Sequence, residues 1–414
     1  MEEKNSEKKE RKMRDSGIPW IGEVPEGWEF SKIKYHCTMK SGDNITALDI
    51  SDNGEYPVYG GNGLRGFYKI YNKNGNHILI GRQGALAGNV HLVNGKFWAT
   101  DHAVIVTLKN DVFINYFFRM LESMNLNQYA FDTAAQPGLS VSRIMNLNIV
   151  LPNLKEQHRI ADFLGSKCSE IDTLIENLRA RMESAKEYKK AVITEAVTKG
   201  LDKDAKMKDS GVEWIGEIPE GWKVVRFKHI ASIKSNLVQP DKYMKYPQIA
   251  PDNIEKDTGR LLSHQTVEES GVISGNHLFY RGQILYSKIR PNLNKLTVAP
   301  FDGLCSADMY PIESKLPTLF MVYSMLSTYF VSQVSLIIQD RVKMSKINQE
   351  ELGEIKVAVP SQQEMLTIAD YLDSKCSEID ALLQNYEYQI ATLEEYKKSL
   401  IYEYVTGKKE VPEA

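Results

Sequence analysis

Two arginines occupy similar settings far apart in the chain. Arg82 ends the apolar string His77-Ile-Leu-Ile-Gly-Arg-Gln-Gly84, and Arg290 ends Gln283-Ile-Leu-Tyr-Ser-Lys-Ile-Arg-Pro291. Each follows a strand-like run and stands beside Gly or Pro, which would hold its base in place. Around them, on or beside turns, lie Arg65, Gln83, His91 and Lys96 in the first region. Lys288, Asn292, Asn294, Lys295, Arg341 and Lys343 do the same in the second. Arg and Lys donate to guanine O6 and N7, and Asn and Gln pair bidentately with adenine, so this inventory suits the reading of base edges in a DNA major groove.

Other chemistries fit less well. Gly61, Gly63 and Gly66 spell GxGxxG, but the alternating string Phe67-Tyr-Lys-Ile-Tyr71 follows, whereas a dinucleotide site needs a helix whose N-terminus meets the pyrophosphate. Pro251-Asp252 with Glu354-Ile-Lys356 imitates the PD…ExK carboxylates of Mg²⁺ nucleases. About a hundred residues separate its halves, and Glu354-Ile-Lys356 reads as alternation in a strand before Pro360. No Asn-Pro-Pro-aromatic string and no Walker loop occurs in the sequence, so neither adenine methylation nor ATP use is expected of this chain. The four cysteines, Cys37, Cys168, Cys305 and Cys376, form no CxxC or Cys/His cluster. They are expected to be buried small hydrophobes in a reducing cytoplasm, with no structural metal.

The elements that would position the reading residues are organised by duplication. Met13-Arg-Asp-Ser-Gly-Ile-Pro-Trp-Ile-Gly-Glu-Val-Pro-Glu-Gly-Trp28 returns as Met207-Lys-Asp-Ser-Gly-Val-Glu-Trp-Ile-Gly-Glu-Ile-Pro-Glu-Gly-Trp222. Ile160-Ala-Asp-Phe-Leu-Gly-Ser-Lys-Cys-Ser-Glu-Ile-Asp172 returns as Ile368-Ala-Asp-Tyr-Leu-Asp-Ser-Lys-Cys-Ser-Glu-Ile-Asp380. Between these repeats, 29–150 and 223–358 hardly resemble each other, which predicts one scaffold carrying two different readers. Short strands punctuated by Gly and Asn turns, with helical pieces around Ile114–Ser123 and from Pro317 to Val334, predict an α+β domain with a curved sheet in each.

The second repeat predicts two helices of about 40 residues, each about 60 Å long. They start after Pro152 and Pro360. Ile379, Leu382, Tyr386, Leu393, Tyr396 and Leu400 follow heptad spacing, with Ile390 filling the seam where Gln389 fails. Ile171, Leu174, Leu178, Ala185, Tyr188 and Val192 repeat that register. The helices should pack on each other antiparallel. The repeat order closes cyclically if the C-terminus is imagined joined to Met13, which predicts pseudo-twofold, circular symmetry and neighbouring termini.

A net charge of -3 argues against a nucleic-acid partner until its distribution is considered. Lys and Arg outnumber Asp and Glu by 11 to 10 over 24–150 and by 17 to 14 over 218–358, whereas 361–414 carries 5 against 11. The excess acid lies outside the two candidate readers. No apolar run approaches the ~18 residues of a membrane span.

The chain resembles the specificity subunits of type I restriction-modification enzymes. The resemblance rests on the paired Pro-Glu-Gly-Trp elements, the paired Ile-Ala-Asp-hydrophobic-Leu helices entered from Leu151-Pro152 and Val359-Pro360, and the strings Ile284-Leu-Tyr-Ser-Lys-Ile-Arg-Pro291 and Asp302-Gly-Leu-Cys-Ser306. It runs from about Met13 to Lys408. One departure is visible: Glu156-Gln157 at the first helix start becomes Glu364-Met365 at the second.

The resemblance implies a non-catalytic subunit with two target-recognition domains, each reading half of a split, asymmetric target in double-stranded DNA. It also implies that the helices set the unread spacer and dock two modification subunits, which methylate adenine with S-adenosylmethionine, and that ATP- and Mg²⁺-dependent restriction subunits join them. This chain would hold no cofactor and work in the cytoplasm, away from membranes. The expected layout is a disordered charged tail (1–12), recognition domain 1 (13–152), spacer helix 1 (153–200), a linker (201–206), recognition domain 2 (207–360), spacer helix 2 (361–408) and a tail (409–414). A rival class, a coiled-coil scaffold whose inserts bind proteins, predicts no sequence-selective DNA binding.

Overall fold

A computed structural model describes residues 11–83, 87–131, 138–341 and 345–412. Lys343, Gly84 and most of the two expected tails lie outside these residues. The chain divides into two compact units, one formed by Met1–Leu178 with Tyr388–Ala414 and the other by Arg179–Glu387. Two long helices, Leu154–Lys199 and Gln362–Val405, each contribute to both units.

The helix boundaries follow from local chemistry. After Pro152, the Asn153 side chain accepts the Glu156 N–H at 3.0 Å, and after Pro360 the Ser361 hydroxyl accepts that of Glu364 at 3.3 Å. Past the last helical turns, Gly200 and Gly407 adopt φ of +75° and +73°, the left-handed conformation that glycine reaches without strain. A Cβ on Gly200 would lie 3.2 Å from the Trp222 ring, and one on Gly407 would lie 3.0 Å from Trp28. The repeated tryptophan is thus the surface against which each long helix ends.

In the first unit, an antiparallel sheet has the order Cys37–Ser41, Ala103–Leu108, His77–Gly81, Val90–Val93. A second sheet has the order Gly63–Tyr68, Tyr56–Gly60, Lys96–Ala99, Lys73–Asn74, its middle pair parallel. Glu29–Lys32 pairs with Asn148–Leu151, closing the unit beside the helix start. The core unites Val24, Trp28, Ile78, Val104 and Phe117 with Leu164 and Ile171 of one long helix and Leu400 and Tyr404 of the other.

The second unit repeats this topology in a sequence that does not repeat. Ala231–Ile233, Met309–Ser314, Ile284–Ser287 and Leu296–Val298 form the antiparallel sheet. The other sheet again has a parallel pair, Pro247–Ile249 with Gly303–Cys305, flanked by Gln265–Thr266 and Asn276–Phe279 and extended by Leu237–Val238. The expected helical piece from Pro317 is two helices, Thr318–Leu326 and Thr328–Ile338, bent by 58° at Ser327. Their apolar residues, Phe320, Met321, Tyr329 and Phe330 among them, fill the core. Among the described residues no single helix is long and apolar enough to cross a membrane.

The helix pairing runs antiparallel within each unit. In the first, Phe163 meets Tyr404 and Asp172 meets Lys397; in the second, Lys189 meets Asp380 while Gly200 lies beside Glu364. The seam register corrects the expected one at alternate positions. Ile171, Leu178, Val192, Ile379 and Leu400 are buried, and Tyr386, Ile390 and Leu393 are half-buried. Leu174, Leu382, Tyr188 and Tyr396 are 52%, 42%, 53% and 55% exposed, and the buried positions are one residue further on, at Ile175 and Lys189. Leu383 and Lys397 take the matching half-buried places in the second helix. A lysine in the seam hides the true heptad, because hydrophobicity alone favours the tyrosine beside it.

The departure at the helix starts has a local cause. Gln157 is buried; its amide donates to the Pro152 carbonyl at 2.9 Å, and its carbonyl accepts the Phe113 N–H at 2.9 Å. Phe113 precedes the helix Ile114–Ser123, and the corresponding residue before Thr318–Leu326 is Pro317, which has no N–H. With no donor to satisfy, the second copy places Met365 in the core instead.

Candidate nucleic-acid interface

In the first unit three turns converge at the C-terminal end of His77–Gly81. The Arg82 N–H donates to the His102 carbonyl at 2.9 Å, and the Leu139 N–H donates to the Arg82 carbonyl at 2.9 Å. The Thr100 N–H donates to the Tyr59 carbonyl at 2.9 Å, and the Ala103 N–H closes a turn onto the Thr100 carbonyl at 2.9 Å. The Thr100 hydroxyl accepts the His102 N–H at 3.3 Å. A Cβ on Gly61 would sit 3.1 Å from the His102 carbonyl, so the glycine turn lies directly against this place.

The second unit repeats each bond with different residues. The Lys288 N–H donates to the Asp308 carbonyl at 3.0 Å, and that of Ile347 donates to the Lys288 carbonyl at 3.0 Å. The Ser306 N–H donates to the Ile249 carbonyl at 2.8 Å, and the Met309 N–H donates to the Ser306 carbonyl at 2.9 Å. The Ser306 hydroxyl accepts the Asp308 N–H at 3.2 Å. Backbone hydrogen bonds do not depend on side-chain identity, so the same frame survives where the sequences have diverged.

The expected reading residues separate on this frame. Arg82 is half-buried and donates to the Ser41 hydroxyl at 3.3 Å, while Gln83 is exposed and holds His102 Nδ1 at 3.1 Å. Arg65 is exposed on the strand of the glycine turn. Lys96 lies over the Tyr71 ring, 4.9 Å from its centroid. His91 packs under Gly63 with Nε2 buried, and burial pushes its pKa below the usual histidine value, so it supports the turn as a neutral ring.

In the second unit Arg290 and Asn292 are exposed on a tightly held turn. Arg290 has φ of +44° and Asn294 has φ of +42°, a conformation that side chains other than glycine adopt at some cost. The turn is held there because the Arg290 N–H donates to the Ser345 carbonyl at 2.8 Å and the Asn294 amide donates to the Met325 carbonyl at 3.1 Å. Asn294 is therefore a correction: its side chain is buried and anchors the loop instead of facing a base. Lys295 donates to the Pro251 carbonyl at 2.9 Å, and Arg341 pairs with Glu351, so both are engaged within the unit. Lys288 lies 5.4 Å from the Tyr310 ring centroid.

The sequence inspection missed His102, Asp308 and Lys346. Lys346 Nζ lies 3.1 Å from Asp308 Oδ1, so Asp308, like His102 beside Gln83, has a polar side-chain partner, supplied here from the position equivalent to Gly138. Nothing in residue type marks them, since their position is defined by strand pairing alone.

The rejected chemistries stay apart from this frame. Glu354 pairs with Arg226 and Lys228, Asp252 faces Lys295, and no group of His, Cys, Asp and Glu among the described residues could hold a metal. All four cysteines are buried, and burial pushes Cys37 up to about 12 and Cys376 up to about 11, far from a reactive thiolate.

Comparison with known proteins agrees with this duplicated architecture. Residues 25–184 match the family described as type I restriction modification DNA specificity domain. The chain is 34% identical over 267 residues to the type I restriction enzyme EcoDI specificity subunit of Escherichia coli, an alignment that spans 60% of each protein. It is 27% identical over 423 residues to the MjaVIII specificity subunit of Methanocaldococcus jannaschii, with 93% of each covered. A solved structure described as underlying complex assembly and conformational transition of the type I R-M system covers 93% of this chain and 99% of its own, with a TM-score of 0.65 and 15% identity, a likeness of fold. With its paired Pro-Glu-Gly-Trp elements and its paired long helices, the chain is similar to the type I restriction-modification specificity subunits, and its residues 25–184 match their DNA specificity domain.

Proposed function

We propose that the chain selects the DNA target of a type I restriction-modification complex, each recognition domain (13–152 and 207–360) reading one half of a bipartite, asymmetric sequence. One observation carries this reading: the two units build the same backbone frame from unrelated sequences and place different polar side chains on it. A duplicated enzyme would preserve its reacting groups. Here the scaffold is preserved and the chemistry at its rim is varied, as expected of two readers with different targets. The long helices act in this reading as the spacer gauge, and Arg65, Arg82, Gln83, Lys96, Lys288, Arg290 and Asn292 contact the duplex.

Catalysis is assigned to partner chains: two modification subunits using S-adenosylmethionine, and restriction subunits using ATP and Mg²⁺. The helices support a paired docking role. The first unit exposes Leu174 and Tyr396, and the second exposes their repeat counterparts Leu382 and Tyr188, so the same apolar pair is offered twice. Exposed aromatic and leucine side chains in repeated patches suit two copies of one partner.

The deciding experiment maps methylated sites in DNA modified by the assembled complex, before and after residues 29–150 are replaced by the corresponding insert of a relative. One half of the bipartite target should change and the other persist. A map without sequence preference, or one in which both halves change together, defeats the proposal and favours a protein-binding scaffold.

A further inference from the structure

We infer that the equivalent residues His102 and Asp308, with their side-chain partners Gln83 and Lys346, determine specificity, the first pair reading adenine and the second a G·C pair. This rests on the DNA-reading function proposed above. His102 and Asp308 stand at the same point of the shared frame, since each accepts, through its carbonyl, the N–H of the first residue after the equivalent strand; their partners come from opposite sides of the next bridge, Gln83 with Gly138 in one unit and Ile289 with Lys346 in the other. Both side chains are open to solvent, His102 at 47% and Asp308 at 40%. Their backbones are fixed by the hydroxyls of Thr100 and Ser306, which gives the rigid placement that base reading demands.

The two pairs offer different hydrogen-bond patterns. Gln83 Oε1 can only accept, so its 3.1 Å contact puts the proton of His102 on Nδ1. His102 Nε2 is then an acceptor, and the Gln83 amide nitrogen is left as a donor on the same pair. Asp101 Oδ1 lies 4.0 Å from Nε2, beyond hydrogen-bond reach. A donor next to an acceptor complements adenine, which presents N7 as acceptor and the N6 amino group as donor. In the second unit Lys346 Nζ contacts Asp308 Oδ1 at 3.1 Å, leaving the other carboxylate oxygen to accept and the ammonium to donate. A cation beside a carboxylate complements guanine O6 and N7 together with the N4 amino group of its paired cytosine.

The test maps methylated sites in cells expressing the full chain with its modification subunits, using wild type, H102D and D308H. H102D should change the base accepted at one position in one half of the target, with about a ten- to hundredfold loss of preference for the original base. D308H should do the same in the other half. A bipartite wild-type map that both variants reproduce, base for base and at equal efficiency, overturns the inference while leaving the reading function intact. A wild-type map without a bipartite motif overturns the reading function itself. Loss of methylation at all sites with an unchanged melting temperature means that the position touches DNA without discriminating bases, and also overturns the inference. Where a swap lowers the melting temperature, the smaller changes H102N and D308N decide by the same criteria.

Discussion

Gln157 and Met365 show how one backbone atom can decide a side chain 44 residues away, because the requirement at Gln157 comes from the Phe113 N–H. Replacing Gln157 by Met should strand that N–H and the Pro152 carbonyl and cost about 1–3 kcal/mol, the usual penalty for an unsatisfied buried group. Adding Phe113→Pro, which removes the donor as Pro317 does in the second unit, should recover part of the loss. A urea-unfolding double-mutant cycle checks this, and additive costs would contradict the coupling. Two histidines predict the pH response. Burial lowers the pKa of His91 against an opposing pull from Glu122, and burial with help from Lys288 lowers that of His277. Their folded pKa values lie below the unfolded value of about 6.5, so the unfolded chain takes up protons that the folded one refuses. Stability should be flat above about pH 6.5 and fall as the pH drops through it. Urea midpoints at pH 7.5 and 5.5 test this; His91→Phe and His277→Phe should each flatten the slope.

At the scale of elements, the long helices were legible in the sequence and their seam was only half legible. Heptad counting found Ile171, Leu178 and Leu400 because they are both apolar and buried. It chose Tyr188 and Tyr396 over Lys189 and Lys397 because burial of a lysine becomes visible only when its partner is known. Those partners are Asp380 and Asp172, each held at 2.7 Å, and the two bridges are repeat counterparts. Strands were readable from alternation and turn residues, whereas the common topology of the two inserts was not, because it is written in backbone pairings that many sequences satisfy. A polar residue in a helix seam fixes register at some cost in stability. Asp380→Ala should therefore destabilise the second unit by about 1–3 kcal/mol, through the unpaired buried ammonium. Lys189→Met should be close to neutral, since an apolar residue suits the seam. Thermal unfolding of both variants measures the difference, and equal losses would show that the ion pair itself, not the stranding of a buried ammonium, sets the cost.

For the whole molecule, the gauge role proposed for the helices makes a quantitative demand. Both run without interruption through the point where the chain divides into units, at 178/179 in one and 387/388 in the other. An insertion in one helix alone would bulge against its partner, so the informative variant inserts seven residues into both at those points. A heptad restores the seam register, with a drift of only about 20°. It lengthens each rod by about 10 Å at ~1.5 Å per residue, which corresponds to about three base pairs at ~3.4 Å each. The methylation map should keep both half-sites and gain about three unread base pairs between them. Three base pairs also turn the duplex by nearly a third of a helical turn, given 10–10.5 base pairs per turn. The rods do not follow that rotation, so methylation should be slower at the new sites than wild type is at its own. A four-residue insertion adds only about 6 Å and breaks the heptad, so it should shift the spacer by about two base pairs with a larger loss of stability. An unchanged spacer in the stably folded heptad variant would show that something other than helix length sets the interval.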